Sequence, residues 1–386
     1  MGQTRQFRAP AVISTGPGAA REAGAYTKQH GGKALIITDA NLEKIGLLAE
    51  VKASLEAAGV SYSVYDKVVM EPVVEYVDDG LRALNEAEAN VVVAVGGGSP
   101  IDTGKAVAAM SRNPGRISEY MGVGKLGKPS MPLIAIPTTA GTGSEVTPFT
   151  IITDPATDIK MLISSPYLIP SVALVDPLMT MKMPRSITAA TGLDALTHAI
   201  EAYVSVKAQP LTDTFALSAI RLISTNLLRA YSQPDNLEAR SSVLMGALQA
   251  GLAFANSSVA LVHGMARPIG AYFHVAHGVS NAVLLPTVIE FSVPGNPRRY
   301  ADIAEAMGEQ TKGLHVDDAA VKTVEAVRRL NADLQIPTLR GLKIDEAKFD
   351  AVVGKMAADA IASGSPGNNP RIASPEEIVN LYRKAL

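Results

Sequence analysis

Four side chains within one stretch of the chain have the types and spacing to hold a divalent cation. Asp194 and His198 stand four apart in Thr188-Ala-Ala-Thr-Gly-Leu-Asp-Ala-Leu-Thr-His-Ala-Ile-Glu-Ala-Tyr203. On a helix that spacing sets both on one face, a turn apart. His263 and His277 follow in Val262-His-Gly-Met-Ala-Arg-Pro-Ile-Gly-Ala-Tyr-Phe-His-Val-Ala-His-Gly278. One carboxylate and three imidazoles can surround a first-row cation and leave a position open for substrate, which separates a catalytic site from a closed structural one. Taken singly, each histidine reads as a packed core residue by default. The clustering argues otherwise: of six histidines in 386 residues, His198, His263, His274 and His277 fall between positions 198 and 277. His30 and His315 sit among charged or polar neighbours and read as surface residues.

The elements that must position these residues follow from periodicity. Ala34–Thr38, Tyr62–Tyr65, Val91–Val95 and Pro132–Ile136 read as short strands, separated by helical patterns over Ala40–Ala58, Val73–Ala87 and Ile101–Ser111. Strands that are apolar throughout and alternate with helices imply a parallel sheet covered on both faces. Further strand patterns occupy Phe149–Thr153, Ile159–Ile163 and Val172–Asp176. From Ser186 onward helical periodicity dominates, with helices expected near 186–205, 211–231, 236–255, 260–271, 277–291, 296–307, 317–333, 345–360 and 375–385. The shift in pattern divides the chain into an α/β domain over 1–183 and an all-helical domain over 184–386. Ser363–Pro370 reads as a surface loop or flexible cover.

In open parallel sheets ligands sit beyond the carboxyl ends of the strands. After Val95 comes Gly96-Gly-Gly-Ser-Pro-Ile-Asp-Thr-Gly-Lys105, where glycines admit a ligand to the backbone and a helix starting near Pro100 turns its positive end toward it. A diphosphate fits such a loop, as does a plain tight turn. After Ile136 comes a second loop of glycines and small hydroxyls, Pro137-Thr-Thr-Ala-Gly-Thr-Gly-Ser-Glu145. Asp39, directly after the first strand, is placed either to accept from a ribose diol, favouring NAD over NADP, or to cap a helix before Asn41. Lys160, inside an apolar strand pattern, is placed either to reach a cofactor phosphate or to snorkel from a sheet edge.

Composition narrows the partners. A hydrophobic fraction of 47% with 19% charged residues describes a globular chain, and a net charge of −2 gives no reason to expect nucleic acid or an anionic membrane. Cysteine is absent, so no disulfide, thiolate nucleophile or Cys-ligated zinc is available. The N-terminus lacks a signal-peptide core and no apolar run reaches membrane-spanning length, so the expected setting is the cytoplasm.

Taken together, Gly96–Asp102, Thr138–Glu145, Met183–Tyr203 and His263 to Gly278 resemble the iron-containing, or group III, alcohol dehydrogenases, in order and at family-like spacing over nearly the whole chain. The resemblance implies an α/β nucleotide-binding domain, an all-α metal-binding domain of dehydroquinate synthase-like architecture, an active site in the cleft between them, and assembly into a homodimer or larger. It implies Asp194, His198, His263 and His277 as ligands of Fe(2+), with Zn(2+) an alternative by intrinsic affinity. It likewise implies Asp39, Gly96, Gly97, Gly98, Ser99, Asp102, Thr138, Thr139, Thr142, Ser144, Phe149, Lys160 and Leu178 as contacts of NAD. The function it implies is hydride transfer between NAD(H) and a small alcohol or aldehyde. One position departs from many members: Arg267 stands where they carry a further histidine, and His274 where many carry a polar residue. A guanidinium does not give up its proton near neutrality, so Arg267 either serves the protein's own structure or binds an anionic substrate, a hydroxy acid or phosphonate aldehyde. His274 is then the better proton carrier. The rival readings are a lyase related to dehydroquinate synthase, against which the Asp-x-x-x-His with two later histidines argues, and a nucleotide-binding regulator without turnover.

Overall fold

The computed structural model describes residues 4–386 apart from Met70 and Asp158. The chain divides into two compact units, Arg8–Met183 and Pro184–Leu386, the latter joined by the first residues up to Phe7. In the α/β unit, β1 (Val12–Thr15), β2 (Lys33–Ile37), β3 (Ser61–Tyr65), β4 (Val91–Gly96), β6 (Leu133–Pro137) and β9 (Val172–Val175) form a sheet in the order β1-β9-β6-β4-β2-β3. Every pairing in it is parallel. Helices α1 (Ala23–His30), α2 (Ala40–Lys44), α3 (Ala49–Ala57), α4 (Val74–Glu86) and α5 (Gly98–Met110) connect these strands. Strand alternation explains the all-apolar runs. Leu35, Ile37, Val92 and Ala94 feed one core cluster, and Ala34, Ile36, Val91, Val93 and Val95 feed another, so successive residues serve opposite faces. The remaining strands, β5 (Gly122–Val123), β7 (Phe149–Asp154) and β8 (Ile159–Ser164), make a small sheet of their own in the order β5-β8-β7.

The helix expected over Ala40–Ala58 is two helices. Gly46, at φ +71°, ends the first turn in a left-handed conformation, and α3 restarts at Ala49. β1 escaped the sequence reading because Val-Ile-Ser-Thr is short and half-buried at the sheet edge.

The helical unit contains α6 (Arg185–Val204), α7 (Pro210–Ser232), α8 (Leu237–Asn256), α9 (Leu261–Phe273), α10 (His277–Ser292), α11 (Pro297–Ala306), α12 (Val316–Asp333), α13 (Glu346–Ala362) and α14 (Pro375–Ala385). The centre is α6, buried continuously from Gly192 to Val204. A Cβ on Gly192 would lie 2.3 Å from Leu227 of α7, and one on Gly278 would lie 2.4 Å from the Ala190 carbonyl, so both glycines allow helices to approach α6 closely.

Two further expectations need correction. Arg5 and Phe7 pack on the helices rather than the sheet: the Arg5 guanidinium donates to the Lys207 and Ala208 carbonyls at 2.7 and 2.6 Å, and the Phe7 ring stacks on Phe215. Ser363–Pro370 is no flexible cover. Ser365, Pro366, Asn368 and Asn369 are buried. The Asn368 amide donates to Ser258 Oγ and the Val259 carbonyl, and that of Asn369 to Ser292 Oγ. Absence of a side chain at Gly264 lets Pro366 sit against α9. Its Ser-Gly-Pro-Asn composition signals a turn, which is correct, but composition does not reveal what the amides bond to.

Candidate active site

In the helical unit, one ligating atom each from Asp194 on α6, His263 on α9 and His277 on α10 lie within 4.8 Å of one another. His263 Nε2 and His277 Nε2 stand 3.6 and 3.7 Å from Asp194 Oδ1. The Asn281 amide nitrogen faces all three, 2.6 Å from Asp194 Oδ1 and 3.2 Å from each Nε2. The amide nitrogen thus stands where three ligating atoms converge, which is the place a cation would take. His198 lies beside this group, its ring stacked between Phe254 at 4.2 Å and His263 at 4.4 Å. Asp194, His198 and His263 are buried, while the His277 side chain is 44% exposed, so the group opens on one side.

Burial works against a charge on Asp194, but the imidazoles of His198, His277 and His263 outweigh it and hold the carboxyl below the usual carboxylate range. Burial likewise opposes a charge on His263. Glu201 and Asp194 on either side of the ring overcome it and raise the imidazole. Glu201, buried on α6, faces His263 Nδ1 at 2.6 Å, where a carboxylate can only accept, and accepts from the backbone N–H groups of Ala260 and Val262 at 2.8 and 2.5 Å. A neutral imidazole that donates from Nδ1 to a carboxylate presents Nε2 as a lone pair to its other side. A hard carboxylate oxygen with imidazole nitrogens suits Fe(2+) or Zn(2+), and the group fits such an ion.

Sequence reasoning passed over Glu201 and Asn281, although spacing held a signal for both. Glu201 stands seven after Asp194, on the stripe that carries His198, and Asn281 stands four after His277. Arg267, mostly buried one turn beyond His263, donates to Ser365 Oγ at 3.0 Å and so ties α9 to the 365–368 turn. Burial lowers its guanidinium pKa, with Glu201 opposing. His274 is exposed and ends α9 in a left-handed conformation at φ +56°. A helix break therefore separates it from His277, which starts α10.

In the α/β unit, the loops after β2, β4, β6 and β9 leave from the same edge of four adjacent parallel strands. Gly96, at φ +156°, has no room for a Cβ, which would lie 2.5 Å from Pro100. A Cβ on Gly97 would touch Thr139 at 3.4 Å and one on Gly98 would meet Thr142 at 2.9 Å, so the glycine loop and the threonine loop lie side by side. The Thr138 N–H donates to the Gly96 carbonyl at 2.9 Å. Ser99 falls in the first turn of α5, whose free N–H groups begin here. Asp102 accepts from Ser144 Oγ and from the Ile151 N–H at 3.0 Å. Burial raises its pKa despite Lys105 and these donors.

The remaining nucleotide candidates are more scattered. Asp39 Oδ1 caps α2 by accepting from Asn41 N and Leu42 N. Lys160 pairs with Glu71 at 2.6 Å, on the central strand of the small sheet. Phe149 begins β7, and Leu178 follows β9 in a short turn held by the Asp176 carboxylate. Beneath the paired loops lies Lys105, fully buried, which donates to Thr147 Oγ1 at 2.9 Å and the Phe149 carbonyl at 2.7 Å, with Asp102 Oδ1 at 3.8 Å. Burial drives its pKa down to about 8, with Asp102 and Glu145 opposing, and drives that of Glu145 up to about 7.

A cation-binding group on helices, in a chain whose other unit is a parallel sheet with a glycine turn, suits a metal-dependent enzyme that binds a nucleotide. The family models agree. Residues 10–177 match "Iron-containing alcohol dehydrogenase", and residues 188–386 match "Fe-containing alcohol dehydrogenase family, C-terminal". The chain is 42% identical over 384 residues to a 1,3-propanediol dehydrogenase of Citrobacter freundii, covering 98% of each chain. It is 38% identical over 387 residues to an NAD-dependent methanol dehydrogenase of Bacillus methanolicus, covering 99% of this chain and all of that one. A crystal structure of a 1,3-propanediol oxidoreductase superposes over the full length of both chains with a TM-score of 0.97 at 40% identity. The chain belongs to the iron-containing alcohol dehydrogenase family. It is an oxidoreductase of that family, using NAD(H) and a metal ion on small alcohols or aldehydes. No single helix among the described residues is long and apolar enough to cross a membrane.

Proposed function

We propose that the chain interconverts a short primary alcohol or diol and its aldehyde, RCH2OH + NAD+ ⇌ RCHO + NADH + H+, with Asp194, His198, His263 and His277 holding Fe(2+). The observation that carries this reading is the convergence of Asp194, His263 and His277 from three helices, with His198 stacked on His263. When bound, the ion would supply Lewis acidity, stabilising an alkoxide or polarising a carbonyl. Gly96 to Ser99 offer backbone N–H groups and a helix N-terminus to the NAD diphosphate. Asp102, Thr138, Thr139, Thr142 and Ser144 line the paired loops, while Phe149, Lys160 and Leu178 are assigned as outer contacts. Asp39 serves the ribose while capping α2, which one carboxylate with two oxygens can do.

Exposed His274 carries the released proton to solvent. Arg267, engaged with Ser365, holds the 365–368 turn against α9, and this bond favours the structural role over an anionic-substrate pocket. Matches to two dehydrogenases of small unbranched alcohols support a small substrate without fixing which one. We assign the working form as a cytoplasmic homodimer or larger, to be checked by sedimentation.

The test is absorbance of reduced nicotinamide with C1 to C4 alcohols, diols and aldehydes, using enzyme as purified, after chelation, and after anaerobic Fe(2+) return. The expected result is turnover lost on chelation and regained with iron, and a pH–rate profile altered in His274→Ala. No nicotinamide change with any substrate in any state would favour a regulator and sink the proposal. A full activity in chelated enzyme would remove the metal from it.

A further inference from the structure

Glu201 accepts three hydrogen bonds, and each has a separate consequence. The Ala260 and Val262 N–H groups belong to the start of α9, where backbone donors lack helical partners, so the carboxylate does the work of a cap from a neighbouring helix. Its third donor is His263 Nδ1, on the same α9 turn. One buried side chain thus meets both the start of α9 and Nδ1 of the His263 ring. Asp194 and Glu201 lie seven apart on α6, so a single rigid helix presents a carboxylate to each side of that ring. With neutral imidazoles, two carboxylate charges match one divalent cation, which lowers the cost of burying either.

We infer that Glu201 is a positioning residue for the cation, holding His263 in its Nδ1–H tautomer with Nε2 turned to Asp194 and His277, and so setting metal affinity as well as helix placement. The inference rests on the metal reading above. Carboxylates behind ligating imidazoles typically contribute about 10–100-fold to affinity.

The experiment compares wild type with Glu201→Gln in the full chain, titrating Zn(2+), and Fe(2+) anaerobically, against a competing chelator, and measuring thermal unfolding of the metal-free proteins. Gln keeps the volume and can still accept from a backbone N–H, but its charge is gone. The expected outcome is about 10–100-fold weaker binding of both ions, together with a lower metal-free unfolding temperature, because the Gln NH2 must face one of the donors from which Glu201 accepts. Equal affinity in the variant overturns the inference, including the case where only metal-free stability falls, which would leave Glu201 as a helix cap alone. Wild type that binds neither ion would instead defeat the metal reading. Should Glu201→Gln not fold, 15N spectra of metal-free wild type at alkaline pH decide: His263 protonated at Nδ1 supports the assignment, and protonation at Nε2 overturns it.

Discussion

Both units bury charge, with opposite results. In the helical unit burial opposes the charge on Asp194, yet the imidazoles of His198, His277 and His263 outweigh it and hold the carboxyl below the usual range. In the α/β unit burial pushes Lys105 and Glu145 toward neutrality, and the opposing charges do not outweigh it: Lys105 Nζ meets a hydroxyl and a carbonyl at hydrogen-bond distance and Asp102 only at 3.8 Å. Burial alone therefore does not mark a functional site. What distinguishes the two clusters is whether lone pairs converge on a common point, as around Asp194, or are spread among structural partners, as around Lys105.

The sharpest way to break this contrast is to remove the convergent charge. Asp194→Asn keeps the shape and the Asn281 contact but takes away the anionic ligand. Turnover should fall by about three orders of magnitude, since the Lewis-acid contribution is several kcal/mol and about 1.4 kcal/mol corresponds to tenfold. Metal analysis of the purified variant should show iron well below one ion per chain. A variant within tenfold of wild type would mean that the group around Asp194 is structural too.

A smaller effect is expected on the other side. Lys105→Met preserves length and apolar stem, yet leaves Thr147 Oγ1 and the Phe149 carbonyl without their donor. Unsatisfied buried acceptors cost about 1–3 kcal/mol, so the urea midpoint should drop accordingly. The Michaelis constant for NAD+ should rise as the 138–149 loop loosens, while metal content stays at the wild-type level. Loss of iron in this variant would erase the distinction between the clusters.

Much of this arrangement was legible in the chain, for reasons that differ by region. Buried parallel strands announce themselves as apolar runs, and long helices through their period, so the sheet apart from its half-buried edge strand β1, and α6 to α14, could be placed from pattern alone. Asp194 and His198 were legible because four residues is the helical repeat, whereas the approach of His263 and His277 to them depends on how Gly278 seats α10 against α6. Family resemblance supplied that link; spacing did not. Lys105 left no trace, since a lysine on a helix reads as a solvated face until its neighbours bury it. Arg267 shows a further limit: its residue type excludes proton transfer, but its bond to Ser365 is visible only in the fold.

The smallest expected effect is a matter of pH. The Glu145 pKa is raised from 4.5 to about 7 in the folded chain, so between those values the native state binds more protons than the unfolded one and stability falls as pH rises. The Lys105 pKa is lowered from 10.5 to about 8, so between about 8 and 10.5 the unfolded state binds more protons and stability climbs again. Metal-free wild type should therefore show a shallow minimum of stability near pH 7 to 8. Glu145→Gln cannot ionise and should lift the acid side of that minimum by on the order of 1 kcal/mol at pH 8, with no gain at pH 4.5. With Glu145 no longer favouring the Lys105 cation, the alkaline rise should also begin at lower pH. Urea unfolding from pH 4.5 to 10 measures both arms; a Glu145→Gln curve parallel to wild type throughout would show that this carboxyl keeps its charge when buried, as Asp194 does.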